Sequence, residues 1–301
     1  MTDATTPARV LVVGEALIDV VVRPGTAEEE HVGGSPANVA LGLGRLGVPV
    51  RLRTALGDDE RGRVARRHLE AAGVRIDPES FSLDRTSTAR ALIVADGSAR
   101  YEFDLDWRLP GGIRLDGAEV VHVGSIACFL EPGASALVDF LASAVSARIT
   151  FDPNIRPALV GDRDAAVRRV EEIAALAEVV KLSDEDAQWL YPAASIDAVL
   201  DRLLSFGPRI VAVTAGADGA FVASGSARVR IPSPSVRVRD TVGAGDTFMT
   251  GLIDRLLDGV ATDEDGLRGL GGFAAAAAAV TVSRAGADLP TRSDVERALA
   301  G

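Results

Sequence analysis

The sequence has very little of three residue types, and each shortage excludes a class of site. Lysine occurs once, as Lys181, among 32 basic residues, and no glycine precedes it, so a GxxxxGK[ST] phosphate loop is absent. Cys128 is the only cysteine, which excludes an intramolecular disulfide and a cysteine metal cluster. The 3 histidines, His31, His68 and His122, lie far apart without HxxxH or HxH spacing, so a histidine metal site has little support.

A net positive charge and long apolar runs are also lacking. The formal net charge of −11 argues against nucleic acid or an anionic membrane surface as the main partner, because both are bound through concentrated positive charge. No apolar run is long enough to span a membrane, and the first residues show no signal-peptide pattern. With 47 % apolar residues the chain has ample material for a folded core, and we expect a soluble cytoplasmic protein.

Apolar segments with strand and helix periodicity alternate along the chain, which predicts an α/β fold with a mostly parallel sheet covered on both faces. The predicted strands of that sheet are Arg9–Val13, Arg51–Ala55, Glu119–Val123, Arg148–Phe151, Glu178–Leu182 and Arg209–Thr214. Two further β-prone runs, Thr88–Ala95 and Ala99–Leu105, meet at Asp96-Gly97-Ser98, a strong hairpin signal. With a strand near Val20–Arg23 they predict a small separate sheet. We expect one domain over residues 1–301, with a lid formed by residues of about 18–32 and 87–106.

The segment Gly42-Leu-Gly-Arg-Leu-Gly47 matches the GxGxxG dinucleotide motif. The motif should leave a strand and open a helix, whereas this match lies inside a helical repeat that has already begun. Close packing of this helix against a neighbour explains its glycines better than NAD binding does.

Polar residues and glycines follow several predicted strands, at the edge where open α/β sheets bind ligands. Near the N-terminus they are Asp19, Gly33, Gly34 and Asn38; a carboxylate and an amide suit sugar hydroxyls. Taken alone, a turn capped by Asn38 and a solvated Asp19 are the simpler explanations, but the position of Asp19 after the strand that ends at Gly14 favours a ligand site. Farther along they are Asp152 to Arg156, Lys181 to Asp186 and Thr214 to Gly219. Ser183 and Asp186 have the spacing of a helix capping box, and the acids there could instead order water around Mg²⁺.

The segment Asp240-Thr-Val-Gly-Ala-Gly-Asp246 precedes a helical repeat and predicts a turn into a helix. Free backbone N–H groups and the helix dipole make such a turn an anion site, and Asp246 adds a carboxylate that could serve as a base. The alternative is an ordinary turn with Asp246 or Thr247 as the helix cap, and this segment alone does not decide between them.

Two segments, read together, resemble the signatures of the ribokinase-like (PfkB) family of carbohydrate kinases, and the resemblance extends over essentially the whole chain. Gly33-Gly34-Ser35-Pro36-Ala37-Asn38, continuing to Gly57-Asp58-Asp59 and Gly62, is similar to the N-terminal signature. Asp240 to Phe248 is similar to the C-terminal one. The resemblance implies a three-layer sandwich with a central sheet and a β-sheet lid, and ATP-dependent phosphorylation of a primary alcohol with Mg²⁺.

The resemblance also implies roles for individual residues. Asp246 would be the general base, with an anion hole at Gly243, Ala244 and Gly245. The implied sugar-binding residues are Asp19, Gly33, Gly34, Asn38, Phe103, Asn154 and Arg156. The implied nucleotide-binding residues are Lys181, Ser183, Thr214, Gly216, Gly219, Ala275 and Ala278. Asp186 would act at Mg²⁺, and Asp240, Val242 and Gly286 would hold a monovalent cation such as K⁺.

Within the family, Gly14-Glu15-Ala16-Leu17-Ile18-Asp19, Tyr101-Glu-Phe103 and Asp152-Pro-Asn-Ile-Arg156 look most like bacterial fructokinases. The family's Asn-x-x-Glu element is replaced by Ser183-Asp184-Glu185-Asp186, which fructokinase-like members tolerate. Alternatives are a 2-keto-3-deoxygluconate kinase, whose acidic substrate needs an arginine such as Arg90, Arg108 or Arg156, and a non-catalytic sugar-binding protein. The expected partners are a sugar and ATP, and relatives suggest a homodimer through the lid.

Overall fold

The computed structural model describes residues 7–93, 99–109, 111–259 and 261–300. The strands are β1 Val10–Val13, β2 Leu17–Val22, β3 Glu29–Gly33, β4 Val50–Arg53, β5 Leu56–Gly57, β6 Val74–Ile76, β7 Phe81–Leu83, β8 Thr88–Ile93, β9 Ala99–Asp104, β10 Val120–Gly124, β11 Arg148–Asp152, β12 Val179–Ser183, β13 Ile210–Thr214, β14 Ala220–Ser224 and β15 Arg228–Ile231. The α-helices are α1 Ser35–Arg45, α2 Glu60–Ala71, α3 Gly133–Ser143, α4 Pro157–Val160, α5 Arg163–Ala174, α6 Asp184–Leu190, α7 Ile196–Leu204, α8 Ala244–Leu257, α9 Glu264–Val282 and α10 Arg292–Ala300.

The main sheet confirms the predicted α/β fold. Its strand order within the described residues is β15-β14-β13-β12-β11-β10-β1-β4-β6. Every pair from β6 to β13 is parallel, and β14 and β15 are antiparallel additions at one edge. The carboxyl ends of the parallel strands therefore lie along one edge, as the sequence predicts.

Two apolar cores lie on the two faces of this sheet. On β1, Val10 and Val12 point into one core and Leu11 and Val13 into the other. The first core contains residues of α1, α8 and α9, and the second contains residues of α3, α5 and α7. Strands buried on both faces read as continuous apolar runs, which is why their positions could be predicted from the sequence.

A second sheet, called the small sheet below, has the order β3-β2-β8-β9 and is separate from the main sheet. Strands β8 and β9 pair antiparallel, as the hairpin signal predicts, although the predicted turn at residues 96–98 lies outside the described residues. Strand β2 begins at Leu17, three residues before the expected start. The prediction missed this start because the first two residues of the strand are both buried and show no alternation of buried and exposed positions. Whether this sheet acts as a lid within one domain stays a prediction.

Two short features escape sequence reading. The edge strand β6 has three residues with Arg75 in the middle, and β5 pairs with β7 over even less chain. Segments of this length are too short for a periodicity of two to be recognisable.

The GxGxxG match lies within α1 and at its end, where packing explains the helical glycines. A Cβ on Gly42 would lie 2.6 Å from Thr250 Oγ1 of α8, and one on Gly44 would lie 2.3 Å from Ala72 O. The predicted packing role is confirmed. Gly42 brings α1 against α8, which matters for the site described below.

None of the helices within the described residues is both long and apolar enough to cross a membrane.

Candidate active site

The segment before α8 forms a turn whose backbone N–H groups are largely free. Gly243 is the N-cap residue with φ of 78°, a left-handed conformation that favours glycine. Thr241 O accepts a hydrogen bond from Ala244 N at 3.2 Å, whereas the N–H groups of Gly243, Gly245 and Asp246 have no acceptor among the described residues. The turn therefore presents unpaired donors at the positive end of a helix of 14 residues.

The alternative in which Asp246 or Thr247 caps α8 is wrong. No side chain caps this helix. The Thr247 hydroxyl instead donates to Gly243 O at 2.8 Å, as a side chain in the helix interior does. Asp246 also points away from the backbone of its own helix.

Asp246 is held by two residues of α1. Its Oδ1 accepts a hydrogen bond from Ser35 Oγ at 2.6 Å, and its Oδ2 accepts one from Asn38 Nδ2 at 2.8 Å. Ser35 and Asn38 are three residues apart and thus share one helix face. The carboxylate is buried, with 8 % of the residue exposed, and two neutral donors fix its position. Sequence reasoning found Asn38 but missed Ser35, since a serine at a helix start ordinarily signals a cap.

A buried cation lies directly beside the turn. A Cβ on Gly245 would be 2.9 Å from Lys181 Nζ, so a larger residue there would displace the end of the lysine side chain. Lys181 Nζ forms an ion pair with Asp152 Oδ2 at 2.8 Å, and both side chains are almost completely buried. Burial raises the pKa of Asp152 even though the Lys181 charge opposes this. The pKa of Lys181 is raised because its acidic neighbours outweigh the effect of burial. The only lysine of the chain is thus a charged group at the anion-binding turn.

Asp19 lies on the small sheet next to the two glycines of the first motif. A Cβ on Gly33 would lie 2.1 Å from Asp19 Oδ2, and Gly34 has φ of 100° and would place a Cβ 2.5 Å from Glu15 O. Solvent reaches Asp19, but surrounding protein atoms displace part of its water and raise its pKa, while the charges of Arg156 and His31 lower it. The Asp246 charge also raises the pKa of Asp19.

Phe103 shares a face of the small sheet with Asp19. Asp19 is paired with Ala89, and Ala89 with Phe103, so all three side chains project to the same side. Phe103 stacks on Tyr101 with ring centroids 6.1 Å apart. An aromatic side chain thus borders the position of Asp19.

The loop after β11 carries the remaining predicted sugar-binding residues. Arg156 Nη1 donates to Asn154 Oδ1 at 2.7 Å, and Asn154 has φ of 38°. Asp186 Oδ1 fixes this loop by accepting a hydrogen bond from Ile155 N at 2.7 Å. Arg156 forms no ion pair within the described part of the chain, in contrast to Arg90, which pairs with Glu28 at 2.8 Å.

Ser183 and Asp186 form the capping box that their spacing predicts. Ser183 Oγ accepts from Asp186 N, and Asp186 Oδ2 accepts from Ser183 N, both at 3.0 Å. Each Asp186 oxygen keeps one free lone pair. No group of three or more metal-ligating side chains occurs among the residues described. This donor set fits Mg²⁺ held mainly by phosphate oxygens and water, which Mg²⁺ tolerates.

The predicted nucleotide residues are divided between a strand end and the core. Thr214 ends β13 beside Ser183 of β12, and Gly216 and Gly219 have φ of 49° and 87° in the turn that follows. Ala275 is buried in the apolar core, and Ala278 is half-buried against it. Thr214, Gly216 and Gly219 therefore lie at the edge where the parallel strands have their carboxyl ends, whereas Ala275 contributes mainly to packing.

The three residues assigned to a monovalent cation come together. Asp240 Oδ1 accepts from Val242 N at 3.0 Å, and Oδ2 accepts from Gly286 N at 2.9 Å. These backbone hydrogen bonds lower the pKa of Asp240. The carboxylate thus joins the turn before α8 to the loop after α9.

Comparison with known proteins identifies the family. The sequence profile of the pfkB family carbohydrate kinases matches residues 7–294. The chain belongs to this family. As a pfkB family carbohydrate kinase, it has no need of the nicotinamide cofactor that the GxGxxG match suggests.

Among the similar proteins of this family are several fructokinases. The chain is 35 % identical to a fructokinase of Rhizobium leguminosarum bv. trifolii over 261 residues, covering 82 % of this chain and 79 % of the relative. A fructokinase structure from Xylella fastidiosa with bound ATP has 26 % identity and a TM-score of 0.83, and covers 97 % of this chain and 98 % of that one. A Vibrio cholerae fructokinase structure with fructose, ADP and a calcium ion has 28 % identity and a TM-score of 0.80, over 97 % and 99 % of the two chains.

Proposed function

We propose that this pfkB family carbohydrate kinase is a fructokinase that transfers the γ-phosphoryl group of ATP to a primary hydroxyl of fructose. The observation that carries the proposal is the buried Asp246 carboxylate, held by Ser35 and Asn38 beside free N–H groups. A fixed base next to an anion site is the arrangement that phosphoryl transfer requires. The relatives named above are fructokinases, and one of them binds fructose and ADP.

Asp246 takes the proton from the sugar hydroxyl as that oxygen attacks the γ-phosphorus. The N–H groups of Gly243, Gly245 and Asp246, together with the Lys181 ammonium, stabilise the negative charge of the transferred group. Asp19, Gly33, Gly34, Asn38, Phe103, Asn154 and Arg156 bind and orient the sugar. Asp186 would hold water molecules around Mg²⁺, and the metal ion would supply positive charge that screens the phosphate oxygens.

The nucleotide occupies the edge formed by Lys181, Ser183, Thr214, Gly216 and Gly219. The adenine lies toward Ala278, with Ala275 behind it. A monovalent cation such as K⁺ binds at Asp240, Val242 and Gly286, where the carboxylate already joins two loops. Because ATP is the phosphoryl donor, we expect the enzyme to act in the cytoplasm. The exposed side chains of Tyr101 and Phe103 in β9 support a homodimer through the small sheet.

One observation favours a second substrate class. Arg156 has no acidic partner among the described residues and exerts a positive potential on Asp19. A sugar acid such as 2-keto-3-deoxygluconate would offer it a carboxylate. This alternative keeps the catalytic roles of the other residues unchanged.

The test is a screen of ADP release with the purified chain, ATP and Mg²⁺ against fructose, ribose, 2-keto-3-deoxygluconate, tagatose 6-phosphate and nucleosides. Fructose should give the highest kcat/KM. A higher value with 2-keto-3-deoxygluconate would select the alternative. Absence of sugar-dependent ADP release with every compound would overturn the kinase proposal and leave a non-catalytic sugar-binding protein.

A further inference from the structure

The loop from β7 to β8, called the β7–β8 loop below, connects the small sheet to the rest of the protein. Thr86, Ser87 and Thr88 lie in or directly before β8, and all three are buried. Ser87 O accepts a hydrogen bond from Ile18 N of β2 at 3.0 Å, and Ser87 Oγ accepts one from Asp106 N at 3.0 Å. The position of the β7–β8 loop therefore sets the positions of β2, β8 and the end of β9.

Asp59, the residue before α2, binds the β7–β8 loop with both carboxylate oxygens. Oδ1 accepts from Gly62 N at 2.7 Å and from Thr86 Oγ1 at 2.6 Å, and Oδ2 accepts from Thr86 N at 2.8 Å. Desolvation raises the pKa of Asp59, but the hydrogen bonds from Thr86 and Gly62 outweigh it, so the pKa is lowered overall. Asp59 is thus an ionised acceptor that receives one hydrogen bond from its own helix and two from the β7–β8 loop.

The surrounding backbone is built closely around these contacts. Thr86 Oγ1 also accepts a hydrogen bond from Gly57 N at 3.1 Å. A Cβ on Gly57 would lie 2.6 Å from Thr86 N, and one on Gly62 would lie 3.0 Å from Thr86 Oγ1. A second link farther along α2, between Arg61 and Glu30 of β3, is exposed and therefore contributes little.

We propose that Asp59 is a positioning residue for the sugar: it fixes the start of β8 in the small sheet so that Asp19 and Phe103 face Asn38 and Asp246. This inference rests on the proposed function, in which Asp19 binds the sugar. The link is short, because Thr86 is two residues before Thr88, which pairs with Ile18, the neighbour of Asp19. No part of the nucleotide edge depends on this link.

The test separates this role from simple helix capping. Asn and Ser cap helices about as well as Asp, so Asp59→Asn and Asp59→Ser keep the bond to Gly62 N and lose an acceptor for Thr86 N. Hydrogen bonds to charged groups have net strengths that correspond to roughly a 10- to 100-fold change in binding. We expect the KM for the sugar to rise within that range, while the KM for ATP and kcat at saturating sugar stay within about twofold.

Two further variants make the comparison specific. Asp58→Asn is the matched control, because Asp58 is exposed and its side chain pairs, among the described residues, with the exposed Arg63, so its kinetics should equal those of the parent. Thr86→Val removes the partner hydroxyl and should raise the KM for the sugar in the same direction. Combining it with Asp59→Asn should add less than the sum of the two effects, because both disrupt one contact.

A readout without catalysis completes the test. Hydrogen exchange of the amides in β2 and β8 should become faster in Asp59→Asn and stay unchanged in Asp58→Asn. Unchanged exchange, an unchanged KM for the sugar, or an equal rise in the KM values of both substrates would overturn the proposal. Failure of the parent protein to act on any sugar would refute the proposed function instead, and hydrogen exchange would still decide whether Asp59 anchors the small sheet.

Discussion

Replacement of Asp246 by asparagine removes the proposed base with almost no change in shape. The amide oxygen can still accept from Ser35 Oγ, which lies 2.6 Å from Asp246 Oδ1. The amide nitrogen would face Asn38 Nδ2, now 2.8 Å from Asp246 Oδ2, and a half-turn of the Asn38 amide restores a donor–acceptor pair. The variant should therefore keep the sugar and ATP sites while losing proton transfer.

The size of the loss follows from the role. General base catalysis typically contributes about 10²- to 10⁴-fold, which corresponds to about 2.7–5.4 kcal/mol in the activation free energy. The effect on folding is smaller, because hydrogen bonds to a charged group contribute about 1.5–3 kcal/mol and both are kept in neutral form. We expect kcat to fall at least 100-fold while the dissociation constant for ATP changes less than about threefold.

The measurement is kcat from sugar-dependent ADP release, with ATP binding followed by calorimetry on the same preparation. Asp258→Asn is the matched control: it removes one acid at the exposed C-terminal end of the same helix, and its kcat should equal that of the parent. Turnover of Asp246→Asn within a factor of a few of the parent, with a normal Asp258→Asn control, would refute the base assignment.

Three other perturbations follow from the same contacts. Gly245→Ala places a methyl group 2.9 Å from Lys181 Nζ and should lower kcat/KM for ATP because the ammonium must move, whereas Gly269→Ala, whose Cβ has no neighbour within 4 Å, should raise the free energy of unfolding by about 0.5–1 kcal/mol without kinetic effect. Asp254→Ala leaves Arg292 without an acidic partner among the described residues and Arg255 with Asp258, and it should lower the free energy of unfolding by about 2 kcal/mol in urea titrations; no change would show that the ion pairs of Asp254 contribute nothing. Burial raises the pKa of Glu15 to about 7 from 4.5, so its stabilising contribution is complete below pH 4.5 and is lost as the pH rises through 7. Glu15→Gln should therefore gain up to about 3 kcal/mol in unfolding free energy relative to the parent between those pH values, and a pH-independent difference would contradict this.

The fold and the location of the site were predictable because they depend on local patterns. Buried parallel strands read as apolar runs, and their carboxyl ends must meet at one edge. This rule brings Asp152, Lys181, Ser183 and Thr214 together from segments that are far apart in sequence. The capping box at Ser183 and Asp186 is also local, and the structure reproduces it.

Contacts between distant elements could not be predicted, because they depend on how helices pack. Ser35 and Asp246 are 211 positions apart, and they meet only because Gly42 allows α1 to lie against α8. The contact of Gly245 with Lys181 and the burial of Glu15 have the same origin. A sequence shows that these residues exist, but their distances are set by tertiary packing.

An acidic protein that binds ATP must keep its negative charges away from the phosphates, and the arrangement of groups shows how this is achieved. The free N–H groups of the turn and the Lys181 ammonium lie together, and the Asp152 charge is compensated by that same lysine. Asp246 has no cationic partner among the described residues and is fixed by the neutral donors Ser35 and Asn38. The positive groups thus lie where phosphate would bind, whereas Asp246, the proposed base, is held by neutral donors. A variant that gave Asp246 a cationic partner, such as Ser35→Lys, should therefore lose turnover even where both substrates still bind.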